Sequence, residues 1–161
     1  MFKEILIAVD DGETALWAAQ TAGQLADATG GRATVIHVVD AAYTFVPSEN
    51  RFESVLAALR RDGREALRVA MNKLPDSVRG AALLREGHPP DEILAAAESL
   101  GADLIVTGSH GRGRIAQFIL GSTADALVRR ALCPVLIVGH EPRPRRSAGK
   151  TRSRQAMLRV N

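Results

Sequence analysis

The chain has 161 residues, of which 46% are hydrophobic, 24% charged and 4% aromatic. That is the balance of one globular domain, and it excludes a fully disordered, collagen-like or disulfide-stapled chain. The net charge of +3 is uneven: residues 1–140 sum to −3, whereas residues 141–161 carry seven Lys/Arg against Glu141 alone and sum to +6. The expected layout is therefore a mildly acidic folded domain over 1–140 and a basic, disordered tail over 141–161.

Cys133 is the only cysteine, so an intramolecular disulfide is impossible and a thiolate metal cluster is unsupported. No apolar run approaches the roughly 18 residues that span a bilayer. The apolar run after Glu4 has five residues, short of the roughly 7–15 of a secretory signal, and a cytoplasmic location is expected.

In chain order, Ile5–Val9 is an apolar run of strand length that ends at the turn signal Asp10-Asp11-Gly12. Ala15, Ala18, Ala19, Ala22, Leu25 and Ala26 then recur at helical spacing until Gly30-Gly31, a helix stop. Ala33–Val39 reads as the second strand. A second helix follows, with a stripe through Phe52, Val55, Leu56, Leu59, Gly63, Ala66, Leu67, Ala70 and Leu74, and Pro75 beyond it. Ala81–Arg85 is a weaker strand closed by Gly87. Pro89 and Pro90 suit the opening of a third helix, whose buried face is Ile93, Leu94, Ala97 and Leu100 and whose end is Gly101. Asp103–Thr107 is the fourth strand. A glycine-rich segment, 108–122, leads into a helix with Ala124, Leu127, Val128 and Ala131 inward, and Pro134–Val138 is the fifth strand.

Strands alternating with helices predict an α/β fold: an open five-stranded parallel sheet with helices on both faces and strands apolar on both sides. Ligands of such sheets bind beyond the carboxyl ends of the strands, at a topological switch point. That rule directs attention to Asp10–Gly12, Val38–Asp40 and the segment from Gly108 onward.

The third of these is the most informative. Gly108-Ser109-His110-Gly111-Arg112-Gly113 follows a buried strand, and Gly121-Ser122-Thr123 opens a helix ten residues past Gly111. Glycines let the backbone approach an anion closely, and a helix start offers free amides and the positive end of its dipole. The Ser122 and Thr123 hydroxyls can cap that helix or donate to a phosphate. Two glycine anchors flanking a loop fit a polyphosphate.

Sharper motifs fail on the same residues. Gly111-Arg-Gly113-Arg-Ile-Ala116 matches G-x-G-x-x-A, but the next strand ends at Val138-Gly139-His140 without the acid a dinucleotide ribose needs. No G-x-x-x-x-G-K-[ST] is present. The acidic pair Asp10-Asp11 suits a response-regulator receiver, but Cys133-Pro134 replaces Lys-Pro and the third strand ends in Arg85-Glu86 without an aspartate to phosphorylate.

Gly108-x2-Gly111-x9-Gly121-Ser122 resembles the nucleotide signature of ATP-binding universal stress proteins. Ile5–Asp10, Val35–Val39 and Ala131–Val138 resemble the flanking strands of that family, so the likeness spans residues 3–139. It implies a Rossmann-like fold of the adenine nucleotide alpha hydrolase-like type, a stress-linked sensor or regulator rather than a committed enzyme, and ATP or another adenine nucleotide as ligand. Asp10, with Ala8 and Val9 before it, stands where the family contacts the base. Val38 stands at the adenine pocket, and Thr107, Gly108 and His110 near the ribose. Gly111, Arg112, Gly121, Ser122 and Thr123 fall at the phosphate-binding segment. A homodimer through the last strand is implied as well.

The sequence also departs from that pattern. Asp11-Gly12-Glu13 replaces the usual Gly-Ser after the aspartate, and an added acid beside a polyphosphate is unfavourable unless a cation such as Mg²⁺ intervenes. Slow Mg²⁺-dependent hydrolysis is the enzymatic alternative, although no general base is evident for it. Action through the dimer surface and the tail is another alternative, with nucleic acid or an acidic membrane as electrostatic partner of the tail. His37 inside the second strand is expected to be a hydrogen-bonded core histidine, His88 a turn residue and Cys133 core packing.

Overall fold

A computed structural model describes residues 1–40, 49–109 and 120–139. The expected tail, 141–161, and His110, Gly111 and Arg112 of the glycine-rich segment lie outside the described residues. Among the described residues five strands and four helices alternate: β1 Glu4–Ala8, α1 Glu13–Thr29, β2 Arg32–Val39, α2 Glu49–Met71, β3 Arg79–Glu86, α3 Pro89–Leu100, β4 Leu104–Gly108, α4 Ser122–Arg130 and β5 Val135–Val138. A short 3₁₀ turn, Asp76–Val78, leads into β3. Gly30 and Gly101 end α1 and α3 in the left-handed conformation, at φ 60° and 61°, which glycine adopts without a Cβ penalty.

All strands pair in parallel, in the order β3-β2-β1-β4-β5. The sheet is the expected open parallel one, and β1 is its centre. The chain moves outward from β1 to β3 and then returns to the other side of β1 for β4, so the switch point lies between β1 and β4. Leu83, Ile36, Ala8, Thr107 and Ile137 form one row across all five strands near their carboxyl ends.

Alternation along the strands sorts the core into two layers. Ile5, Ile7, Val35, Leu104 and Val106 pack with α1 and α2 residues, whereas Leu6, Ala8, Ile36 and Ile105 pack with α3 and α4 residues. Alanines on α1 (Ala15, Ala18, Ala19, Ala22 and Ala26) are all buried, and their small side chains let the helix axis lie close to the sheet.

Burial on both faces holds at the centre and fails at the rims. No residue of β3 is fully buried, and in β5 only Val138 is. A rim strand has a neighbour on one side only, and the helices cover the middle of the sheet. For the same reason two stripe residues face solvent: Val55 on α2 and Val128 on α4 are 37% and 52% exposed.

At the amino edge, the Asp103 carboxylate accepts hydrogen bonds from the backbone N–H groups of Lys3 (2.7 Å) and Glu4 (3.2 Å). Lys3 Nζ donates to the carbonyls of Thr29 and Gly30 at the end of α1. These bonds tie the start of β1 to the end of α1 and to the turn before β4. Their effect is to fix the central strand along its axis.

Candidate functional site

The carboxyl end of β1 is built by local hydrogen bonds. The β1–β2 ladder ends with Ala8 opposite Ile36, and the Val9 N–H continues it by donating to the Ile36 carbonyl at 2.9 Å. Asp10 then turns the chain: its Oδ1 accepts the Gly12 N–H at 2.8 Å, a side-chain-closed turn of the kind aspartate favours. Gly12 is the N-cap of α1 and Glu13 lies in the first turn. Three carboxylates, Asp10, Asp11 and Glu13, thus surround one helix start.

Across the switch point, β4 ends at Gly108. A Cβ on Gly108 would stand 2.5 Å from Thr14 Oγ1, 3.0 Å from the Thr14 carbonyl carbon and 3.1 Å from the Ala15 nitrogen. The glycine therefore lets the first turn of α1 lie directly against β4. Ser109 is 8% exposed; its N–H donates to the Val138 carbonyl at 3.0 Å and its carbonyl accepts the Gly121 N–H at 2.9 Å. These two bonds pin the glycine-rich segment at both ends, and Gly108 and Gly121 become neighbours although 13 positions separate them in sequence.

Gly121 is the N-cap of α4, with an extended backbone at φ −60° and ψ 149°, and no side chain caps the helix. The capping role open to Ser122 and Thr123 is thus not taken up: both lie inside the helix, and the cap position carries no side chain. α4 thus starts beside the end of β4, to which the Gly121 N–H ties it through the Ser109 carbonyl, and a helix start offers its first amides to anions. Its last turn carries Arg129 and Arg130, paired with Asp125 and Asp91 at 2.9 and 2.7 Å. The Arg130 guanidinium, and then His88, hold the Asp91 carboxyl below its ordinary range.

Of the predicted site residues, Ala8, Val9 and Asp10 end the central strand, and Thr107 and Gly108 end its neighbour. Val38 lies half-buried near the end of β2, on the α3/α4 face. Gly121, Ser122 and Thr123 stand at the start of α4, so these nine share the carboxyl edge around the switch point. Sequence reasoning missed two contributors. Ser109 joins the two glycine anchors through its backbone, and Thr14 is the surface against which Gly108 must be bare. Among the described residues no three or more His, Cys, Asp or Glu side chains converge to hold a metal ion, and no helix is long and apolar enough to cross a membrane.

A sequence profile described as the Universal stress protein family matches residues 1–139. The chain belongs to the universal stress protein family. A universal stress protein of Thermus aquaticus is 40% identical over 141 residues, covering 86% of this chain and 99% of that one. The solved structure of a universal stress protein family member from Burkholderia pseudomallei superposes with a TM-score of 0.70 at 31% identity, covering 86% of this chain and 97% of that one. A universal stress protein crystallised in complex with cAMP matches with a TM-score of 0.59 at 25% identity, over 86% and 97% of the respective chains. The five-stranded parallel sheet with helices on both faces is thus the fold of the family, and nucleotide binding is a property found among its members.

Proposed function

We propose that this universal stress protein binds ATP, or a close adenine nucleotide, at the carboxyl edge between β1 and β4, and acts as a stress-linked sensor or regulator. The reading rests on one observation above all. The Gly121 N–H bonds the Ser109 carbonyl, which sets the uncapped amides of α4 beside bare Gly108 at the switch point. Three or four phosphate oxygens find donors there in the Ser122 and Thr123 amides and hydroxyls. The family likeness adds Gly111, Arg112 and His110 to the phosphate and ribose side, and Val38 and Asp10 to the base.

Asp10, Asp11 and Glu13 give the α1 side of the cleft a negative field that opposes a bare polyphosphate. Mg²⁺ entering with the nucleotide would offset that repulsion. It would be held chiefly by phosphate oxygens, since no convergent donor set for a resident ion exists among the described residues.

The outer edge of β5, unpaired among the described residues, with Leu132 97% exposed just before it, supports a homodimer through the last strand. An unpaired parallel edge with apolar neighbours favours pairing with a second copy. Leu132→Glu should shift the sedimentation coefficient to the monomer value and lower the melting temperature only by the share that association contributes, since the side chain is exposed on the single chain.

The deciding experiment is calorimetric titration with ATP, AMP and cyclic AMP, with and without Mg²⁺, on the natural chain and on Gly121→Asp. Saturable ATP binding that the aspartate abolishes supports the proposal. No heat with any of the three nucleotides refutes it, and product accumulating over many turnovers would make the protein a hydrolase.

A further inference from the structure

We infer that His37, a buried residue of β2, is the positioning residue for the Val9–Gly12 turn and so sets nucleotide affinity from behind the sheet. The inference rests on the nucleotide-site reading above and adds a residue to it.

His37 is 8% exposed, and its Nδ1 lies 3.0 Å from the Val9 carbonyl oxygen. A carbonyl only accepts, so Nδ1 carries the proton and donates. The contact begins one residue beyond the end of the β1–β2 ladder. A side chain of β2 thus replaces the next backbone bond and extends the hold of β2 on β1 to Val9. The Val9 carbonyl and the Asp10 nitrogen share one planar peptide unit. Holding that oxygen fixes the direction in which Asp10 leaves the strand, and the Asp10 Oδ1 to Gly12 N–H bond of 2.8 Å completes the turn.

Two unfavourable choices meet behind this bond. On the same face of β2, Val35 and Val39 are apolar and buried, and a third aliphatic residue would pack there without polar atoms to satisfy. An imidazole at that place costs free energy unless it is hydrogen-bonded. Opposite it, α2 carries Gly63 in mid-helix, which destabilises a helix by about 0.5–1 kcal/mol relative to alanine. A Cβ on Gly63 would stand 2.6 Å from His37 Cδ2 and 3.0 Å from Nε2, with Leu84 Cδ1 at 2.8 Å. The glycine is the slot that admits the ring, and the stiff ring cannot swing aside. Packing alone explains neither residue, whereas the bond to Val9 gives the ring that the slot admits a structural task.

The test separates the two ring nitrogens. His37→Asn places an amide N–H where Nδ1 stands, whereas His37→Gln places it where Nε2 stands; the two are alike in polarity. Gly63→Ala, which presses on the ring while favouring the helix, is a third variant whose folding is independent of a polar change. Two quantities are read: ATP affinity by calorimetry, and hydrogen-exchange protection of the Gly12 amide in the nucleotide-free protein, with the Ile7 amide as the core control. Loss of the bond predicts about tenfold weaker affinity, the change equivalent to about 1.4 kcal/mol, and a similar loss of Gly12 protection. His37→Gln and Gly63→Ala should show both, His37→Asn should stay within about threefold of the natural protein, and Ile7 should be unchanged in all.

Equal losses in the asparagine and glutamine variants would reduce His37 to packing and overturn the inference, as would natural affinity and protection in the glutamine variant. If the natural protein binds no nucleotide, the function proposed above falls, and the Gly12 exchange pattern still decides whether His37 positions the turn.

Discussion

Gly108→Ala is the most direct probe of how the two sides of the switch point, β4 and the start of α1, are held together. The added Cβ would lie 2.5 Å from Thr14 Oγ1 and 3.0 and 3.1 Å from the Thr14 carbonyl carbon and Ala15 nitrogen. Carbon contacts are comfortable near 3.5 Å, so α1 must withdraw from β4 by roughly half an ångström. The two backbone atoms cannot move aside, and the Thr14 hydroxyl can do so only by leaving its rotamer, which costs about 1 kcal/mol. Overpacking of this kind costs about 1–3 kcal/mol, which for a domain of this size lowers the melting temperature by about 3–10 °C. Thr14→Ala removes one of the three contacts. In a double-mutant cycle it should recover part of the loss, with a coupling of about 1 kcal/mol. Urea unfolding of the four proteins gives the cycle, and the slope should stay constant because the unfolded surface does not change. At the proposed nucleotide site, affinity for ATP should fall in parallel, since the retreating helix start carries the Asp10–Gly12 turn with it. A melting temperature within 1 °C of the natural protein, or zero coupling with Thr14, would refute the account of Gly108 as the contact surface for α1.

Three further outcomes follow from the same structure. Asp103→Ala deprives the Lys3 and Glu4 amides of their shared carboxylate and should cost about 1–2 kcal/mol in urea unfolding. A value near zero would mean water replaces it without loss. The Asp91 carboxyl is held below its ordinary 3.8 by hydrogen bonds from Arg130 and then His88. Its contribution is therefore present above the unfolded value and lost as pH falls through the lower folded one. Arg130→Gln should move the carboxyl titration, followed by NMR, upward toward the ordinary value, and an unmoved titration would sink that assignment. Burial raises the Cys133 thiol above its ordinary value, so its alkylation by iodoacetamide at neutral pH should be slow and should accelerate on unfolding. Rapid labelling of the folded protein would contradict this.

Much of the architecture is local and therefore legible in the sequence. Ile5–Val9, the alanine stripe of α1 and the helix stops at Gly30 and Gly101 carry their own periodicity and turn chemistry, and these elements form where expected. Boundaries shift by a residue or two where pairing decides them: β3 starts at Arg79 rather than Ala81 because Ala33 offers a partner there. The spacing of Gly108, Gly111 and Gly121-Ser122 is just as local, and the phosphate role read from it belongs to the proposed function.

What the tertiary structure alone decided concerns residues distant in sequence. A linear pattern does not show that β1 is central, or that β3 and β5 are rims that leave Val128 and Leu132 in solvent. It does not show that Gly108 is bare for the sake of Thr14, or that Ser109 closes the loop onto Gly121. Nor does it show that His37, sound as a core histidine, reaches across to Val9 through a slot at Gly63. Each of these is a contact across the sheet or between layers. Residue spacing encodes which side of a strand or helix is apolar; which apolar side meets which is settled only by the packing of all layers at once.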